Sequence, residues 1–351
     1  INAEYGEQLE MKSKKFQLAI AEVPVAPKVN LLNSTDGGIE SQNQSIVFGP
    51  NGMNGAKVQV PFEQLRIIRP LGKGSFGQVN LVETPDGQQF ALKEIQLSSD
   101  ESTQKNIYKE LHSYLDYSDQ FIVSTFNLYS LGGGAGQNAK IHVLLELAQY
   151  GSTKDLLKKI KSGHLTEAGI GMVAIDILRA LESIHSRNII HRDIKPDNLL
   201  MTAEAKCKLA DFGMATSVLA HDESQAQQTF AGSISYMAPE RFNKVGRYGP
   251  PSDVWSVGIT LVELITGQFP YANFSEFFQA MNAIVDGPAP LLTNEAYSQD
   301  CRSCINAMLE KDPAKRLSAS ELLKMPFCKK YMAKEADIRA MLAKWLKDNS
   351  K

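Results

Sequence analysis

Residues 191–198 read His191-Arg192-Asp193-Ile194-Lys195-Pro196-Asp197-Asn198, directly after the apolar pair Ile189-Ile190. A short loop that gathers acidic, basic and amide side chains beside apolar residues restricts both fold and chemistry. Phosphoryl transfer needs these types close together. The acid orients and deprotonates an attacking hydroxyl, the amide binds a metal, and the lysine neutralises the moving phosphate. The rest of the chain can be tested against that expectation.

An extended pattern at Leu65-Arg66-Ile67-Ile68-Arg69-Pro70 runs into Gly72-Lys73-Gly74-Ser75-Phe76-Gly77-Gln78-Val79. A dinucleotide fold would place a helix after such glycines. Here a second strand-like pattern follows, with Val79 two residues after the last glycine. That favours a glycine hairpin lying over phosphates, the amides of Lys73 to Gly77 near their oxygens. The next strand, Phe90-Ala91-Leu92-Lys93-Glu94-Ile95, carries a lysine in an apolar run. A half-buried lysine needs a partner. Glu110, on the helical stretch Asn106-Ile107-Tyr108-Lys109-Glu110-Leu111, is the preferred one, and Glu101 the fallback. Downstream of the loop, two strand-like runs, Leu199-Leu200-Met201 and Cys207-Lys208-Leu209-Ala210, form a hairpin that delivers Asp211-Phe212-Gly213. A carboxylate there, 18 residues after Asp193, can share a metal with Asn198.

These motifs, in this order, resemble those of eukaryotic protein kinases over roughly residues 63–328. The resemblance implies an α+β, two-lobed kinase fold. Its small lobe is an antiparallel β-sheet plus one helix, and its large lobe is mainly α-helical. It implies MgATP between the lobes, with Asp193 and Lys195 catalytic and Asn198 and Asp211 on Mg²⁺. The nucleotide pocket would be Leu71, Gly72, Lys73, Gly74, Ser75, Phe76, Gly77, Val79, Ala91, Lys93, Glu110, Leu145, Glu146 and Ala148. Of these, Lys93 and Glu110 pair to set the phosphates, Leu145 guards the rear of the pocket, and Glu146 and Ala148 belong to the hinge that holds adenine. Lys195 followed by Pro196 is the serine/threonine pattern.

Subfamily resemblance rests on three stretches. Met237-Ala238-Pro239-Glu240-Arg241 and Thr229-Phe230-Ala231-Gly232 are similar to the activation segment of MAP kinase kinases. Within residues 11–20, three lysines precede alternating Phe16, Leu18 and Ile20, like the docking peptide by which those enzymes hold a MAP kinase. This implies dual specificity toward a MAP kinase activation loop and control by an upstream kinase. By the same resemblance Thr229 would be one phosphosite, its phosphate meeting Arg192. Ser224 is the nearest upstream hydroxyl, but its five-residue spacing departs from the four common in animal members. Ser233 stands where threonine is usual. The alternatives are a serine/threonine kinase of a related cascade branch and a non-catalytic scaffold; Lys93, Asp193 and Asp211, all present, argue against the scaffold.

Composition sets the remaining bounds. With 43% apolar residues among 351 and a net charge of −2, the chain has ample core and no strong field toward nucleic acid or membrane. No apolar run approaches the ~18 residues of a membrane span, and no signal peptide is evident in the residues present. Four cysteines in a long chain point to a reducing, cytoplasmic setting. Residues 1–62 read as a largely disordered extension. Ser252 and Asp253 are expected to cap a buried helix, with Asp253 bracing the loop by resemblance. The same resemblance implies that Arg316 pairs with Glu240. Cys301 and Cys304 fall on a helical apolar face as core residues. Ile338, Met341, Leu342, Trp345 and Leu346 form an amphipathic stripe within residues 329–351 that would pack on the large lobe, the alternative being a partner-binding helix.

Overall fold

The computed structural model describes residues 60–74, 77–96, 119–131, 140–211, 236–242, 249–272 and 277–349. The first part is a five-stranded antiparallel sheet: β1 Arg66–Gly74, β2 Gly77–Glu83, β3 Gln89–Gln96, β4 Thr125–Leu131 and β5 Lys140–Leu145, in the order β1-β2-β3-β5-β4. Successive side chains of a strand alternate faces, and the register turns that alternation into two surfaces. Val82, Phe90, Leu92, Tyr129 and Leu144 cluster on one face, where Phe62 and Leu65 cover them. The entering chain is tied there by the Tyr129 hydroxyl, which donates to the Val60 carbonyl at 2.8 Å. On the other face Leu81 opposes Ala91, which opposes Leu145; Val79 opposes Lys93, which opposes Val143.

The second part is helical. Helices α1 Thr153–Lys159, α2 Glu167–His185, α3 Pro250–Thr266, α4 Phe277–Val285, α5 Gln299–Met308, α6 Ala319–Leu323, α7 Pro326–Met332 and α8 Glu335–Asp348 surround one large core. A two-stranded hairpin, β6 Leu199–Met201 with β7 Cys207–Leu209, lies against α2. Helix α2 starts at Thr166, whose hydroxyl accepts the Gly169 N–H, and is apolar almost all round because it is buried almost all round. Helix α3 is the second buried pillar. It begins two residues before the expected cap: Gly249 is the N-cap and Pro250 and Pro251 occupy the first turn. Proline fits there because its missing N–H has no intrahelical partner to lose. Ser252 and Asp253 are therefore inside the helix, and their side chains turn to other work. Gly267, at φ +70°, closes α3 in the left-handed region, its N–H on the Glu263 carbonyl.

Cys301 and Cys304 are fully buried with Ile305 and Met308, as core residues should be. The stripe on α8 is narrower than expected. Leu346 is buried and Ile338, Leu342 and Trp345 lean on the core, but Met341 is 56% exposed. Residues 97–118, which include the small-lobe helix expected around Glu110, and residues 11–20 lie outside the described residues.

Candidate active site

The loop at 191–198 is held from below by one carboxylate. Asp253 of α3 accepts the His191 N–H and the Arg192 N–H, each at 2.8 Å, and the His185 Nε2–H at 2.9 Å. Burial works against its charge, but His185 and these backbone donors outweigh it and hold the carboxyl below the ordinary range. Arg192 has φ +75°, a left-handed conformation costly for a residue with a Cβ. Its N–H lies on Asp253 and its carbonyl accepts from Arg241 Nη1 at 2.8 Å, so the strained turn is pinned on both sides.

His191 is fully buried and links this loop to the hairpin. Its Nε2–H donates to the Ala210 carbonyl at 2.9 Å and its Nδ1 accepts the Asp193 N–H at 3.3 Å. Only the neutral ring can donate from one nitrogen and accept at the other, and burial accordingly pushes its pKa down. Ala210 N–H returns to the Asn198 carbonyl at 2.9 Å, while Leu199 pairs with Leu209. Asn198 and Asp211 thus stand at neighbouring ends of the hairpin.

Above this frame, Asp193 accepts Lys195 Nζ at 3.0 and 2.8 Å and Asn198 Nδ2 at 2.9 Å. Burial alone would raise the Asp193 carboxyl, but the Lys195 ammonium and the Asn198 amide hold it below the usual carboxylate value. Asn198 Nδ2 also donates to the Asp193 carbonyl at 2.7 Å. With its amide hydrogens committed to Asp193, Asn198 has its side-chain oxygen Oδ1 left for a cation among the described residues. Asp211 sits at φ +63° and accepts Lys93 Nζ at 2.6 Å. Asn198 and Asp211 are two hard oxygen donors. That number suits Mg²⁺ shared with substrate phosphates rather than a cage built by protein alone, and among the described residues no cluster of three or more His, Cys, Asp or Glu forms such a cage.

The structure brings Val79, Ala91, Lys93 and Leu145 onto one face of the sheet. Leu71 and Gly72 lie along β1, and Lys73 and Gly74 pair with Gln78 and Gly77 across the hairpin. Gly77, at φ +152°, is packed so closely on β3 that a Cβ would collide with the Glu94 carbonyl. Past Leu145, the Glu146 side chain turns to Lys208 at 2.6 Å and its N–H donates to Ser124. The Glu146 carbonyl and the Ala148 N–H are not engaged in backbone bonds among the described residues. Ser75, Phe76, Glu110, Ser224, Thr229 and Ser233 lie outside the described residues. Sequence reasoning missed the roles of His185, His191 and Arg241, and of Lys154, whose Nζ lies 3.0 Å from Asp197.

Expected pairs further out are present. Arg316 reaches Glu240 at 2.7 and 3.1 Å and lies over the Trp255 ring. Ser252, freed from capping, donates to Glu240 at 3.0 Å.

A buried acid beside a lysine, an amide and a second carboxylate at a hairpin end, and a lysine in the facing sheet define a phosphoryl-transfer site of the kinase type. The family described as "Protein kinase domain" matches residues 65–328. Mitogen-activated protein kinase kinase 2 of Arabidopsis thaliana is 37% identical over 302 residues, covering 84% of this chain and 79% of that protein. Dual specificity mitogen-activated protein kinase kinase 7 of Homo sapiens is 32% identical over 304 residues, 84% and 69% of the two chains. Serine/threonine-protein kinase KIC1 of Saccharomyces cerevisiae is 33% identical over 281 residues, 79% of this chain and 25% of that one. The chain belongs to the protein kinase family, as a member similar to the MAP kinase kinases, and is a serine/threonine or dual-specificity protein kinase.

Proposed function

We propose that the protein transfers the γ-phosphate of MgATP to the Thr and Tyr hydroxyls of a MAP kinase activation loop. The observation that carries this is the convergence of Lys93, Asp193, Lys195, Asn198 and Asp211, supported by the similarity to proteins named mitogen-activated protein kinase kinases. Asp193, kept ionised, accepts the substrate hydroxyl's hydrogen bond and takes its proton. Lys195, on the same carboxylate, is placed to stabilise the phosphoryl oxygens as they move. Asn198 and Asp211 would hold Mg²⁺, which when bound neutralises charge between the phosphates. Lys93, with Glu110 as its sequence-assigned partner, sets the α and β phosphates. The Glu146 carbonyl and Ala148 N–H would hold the adenine edge beside Leu145.

Control would come from an upstream kinase. Phosphate on Thr229, with Ser224 as the second candidate, would pair with Arg192 and order the activation segment. Residues 11–20 would dock the MAP kinase, lysines toward an acidic patch and Phe16, Leu18 and Ile20 into a groove. A cytoplasmic setting suits such a cascade; no helix of the described residues is long and apolar enough to cross a membrane. The second reading, a serine/threonine kinase with other substrates, is kept by the Ser224–Thr229 spacing and by the similarity to KIC1.

The experiment is a phosphosite map. The enzyme, phosphorylated at Thr229, is incubated with MgATP and a panel of catalytically dead MAP kinases, and the sites are located by mass spectrometry. Phosphate on both Thr and Tyr of one loop supports the first reading. Phosphate confined to Ser or Thr elsewhere selects the second.

A further inference from the structure

Strand β7 leads to Asp211, two residues past its end, yet it is only three residues long. A hairpin that short does not hold its own position in water. Its place is set by the groups that take up its remaining backbone bonds. Cys207 N–H donates to Asp176 Oδ2 at 2.8 Å. Leu209 N–H donates to the Phe121 carbonyl at 2.8 Å, and the Leu209 carbonyl accepts the Val123 N–H at 3.0 Å.

Both supports are gripped by the last helix. Arg339 of α8 reaches Asp176 at 2.5 and 3.0 Å, a buried ion pair in which Asp176 is fully enclosed. The same guanidinium donates to the Ala205 carbonyl at 2.9 Å, in the hairpin turn where Ala205 has φ +56°. One turn earlier, Glu335 accepts both ends of Arg179 at 3.0 and 3.1 Å and also Arg339 at 2.7 Å. Arg179 lies over the Phe121 ring at 5.3 Å. Two arms from one helix therefore reach the groups that hold β7, the strand that ends two residues before Asp211. Of these contacts, the Arg339–Asp176 pair is the one shielded from water and salt.

We infer that Arg339 is a positioning residue for the metal-binding aspartate: through Asp176 and the Ala205 carbonyl it fixes the hairpin that aims Asp211, so that the C-terminal helix sets the enzyme's Mg²⁺ requirement. This rests on the reading of Asp211 as a Mg²⁺ ligand. The chemistry is that of an outer-shell partner, which orients a ligand without touching the metal.

The test measures half-saturating Mg²⁺ for kinase activity, nucleotide affinity without Mg²⁺, and thermal stability, all on the full chain. Arg339→Gln should raise the Mg²⁺ requirement roughly 10-fold while metal-free nucleotide affinity stays as in the parent. Arg339→Lys, which keeps the charge but loses the fork, should fall between. Because Arg339→Gln leaves the buried Asp176 carboxyl without its partner, the double variant Asp176→Asn with Arg339→Gln is made as well. It should recover stability and keep the raised Mg²⁺ requirement. A double variant whose Mg²⁺ requirement returns to the parent value together with its stability would overturn the inference, leaving Arg339 a structural residue only. Asp211→Asn separates the two readings. If it loses Mg²⁺-dependent nucleotide binding while the Arg339 variants do not shift, only the present inference fails. If it keeps that binding, the metal assignment fails and takes the inference with it.

Discussion

Asp253 shows how one side chain can decide the geometry of a site it never enters. Its two oxygens accept two consecutive backbone N–H groups and His185, and the left-handed Arg192 persists because of them. His191 adds a pH dependence. In the unfolded chain its ring takes a proton near 6.5, whereas burial depresses that tendency in the fold. Below that pH the unfolded state binds more protons, so stability rises with pH and is lost on acidification. His142, depressed mainly by burial, acts in the same window. Between pH 7 and 5.5 a histidine kept wholly neutral in the fold would lose about 1 kcal/mol, and His142, partly offset by Glu94, less; urea unfolding at the two pH values reads the loss. His191→Gln should shrink the difference; an unchanged difference would place the titration elsewhere. The motif residues were legible because chemistry demands those types a few positions apart. His191's ring bonds were not, because histidine in a charged loop reads equally well as solvated.

Elements are held by pairs far apart in sequence, and these divide into readable and unreadable ones. The shared sheet face of Val79, Ala91, Lys93 and Leu145 follows from a period of two. The α8 stripe follows from a period near 3.6, although Met341 at its edge is exposed. Arg339 and Asp176 lie 163 residues apart, and each looks like an ordinary charge on a helix; nothing local marks them as partners. Ser252 and Asp253 looked like a cap because their types are cap types, but the two prolines ahead of them start the helix earlier. Arg316 is an element-scale lock, since it joins Glu240, the Pro251 carbonyl and the Glu310 carbonyl. Arg316→Leu should cost roughly 3–5 kcal/mol by stranding Glu240, measurable as a drop in denaturation midpoint. Gly171 tests packing against propensity. Alanine in a helix interior gains about 1 kcal/mol over glycine, but a Cβ here would stand 2.5 Å from the Tyr331 ring. That ring is tethered by its hydroxyl to Glu167 at 3.0 Å. Overpacking costs about 1–3 kcal/mol, so Gly171→Ala should lower the melting temperature; a rise would show that the ring can move aside.

At the scale of the whole molecule, a sheet that offers Lys93 faces a helical body that offers Asp193, Lys195, Asn198 and Asp211, and the docking proposal puts substrate choice outside that pair of surfaces. Deleting residues 11–20 should therefore raise KM for a partner MAP kinase by roughly tenfold or more and leave a short peptide substrate unaffected. An equal effect on both substrates would remove the docking role. Chemistry itself is tested by transfer of γ-phosphate to that MAP kinase in a single turnover, comparing the parent enzyme with Asp193→Asn at matched nucleotide occupancy. A fall of roughly 10²–10⁴-fold or more with nucleotide affinity unchanged is the expected result. Transfer at the parent rate would contradict the assignment of Asp193 as the residue that takes the hydroxyl proton.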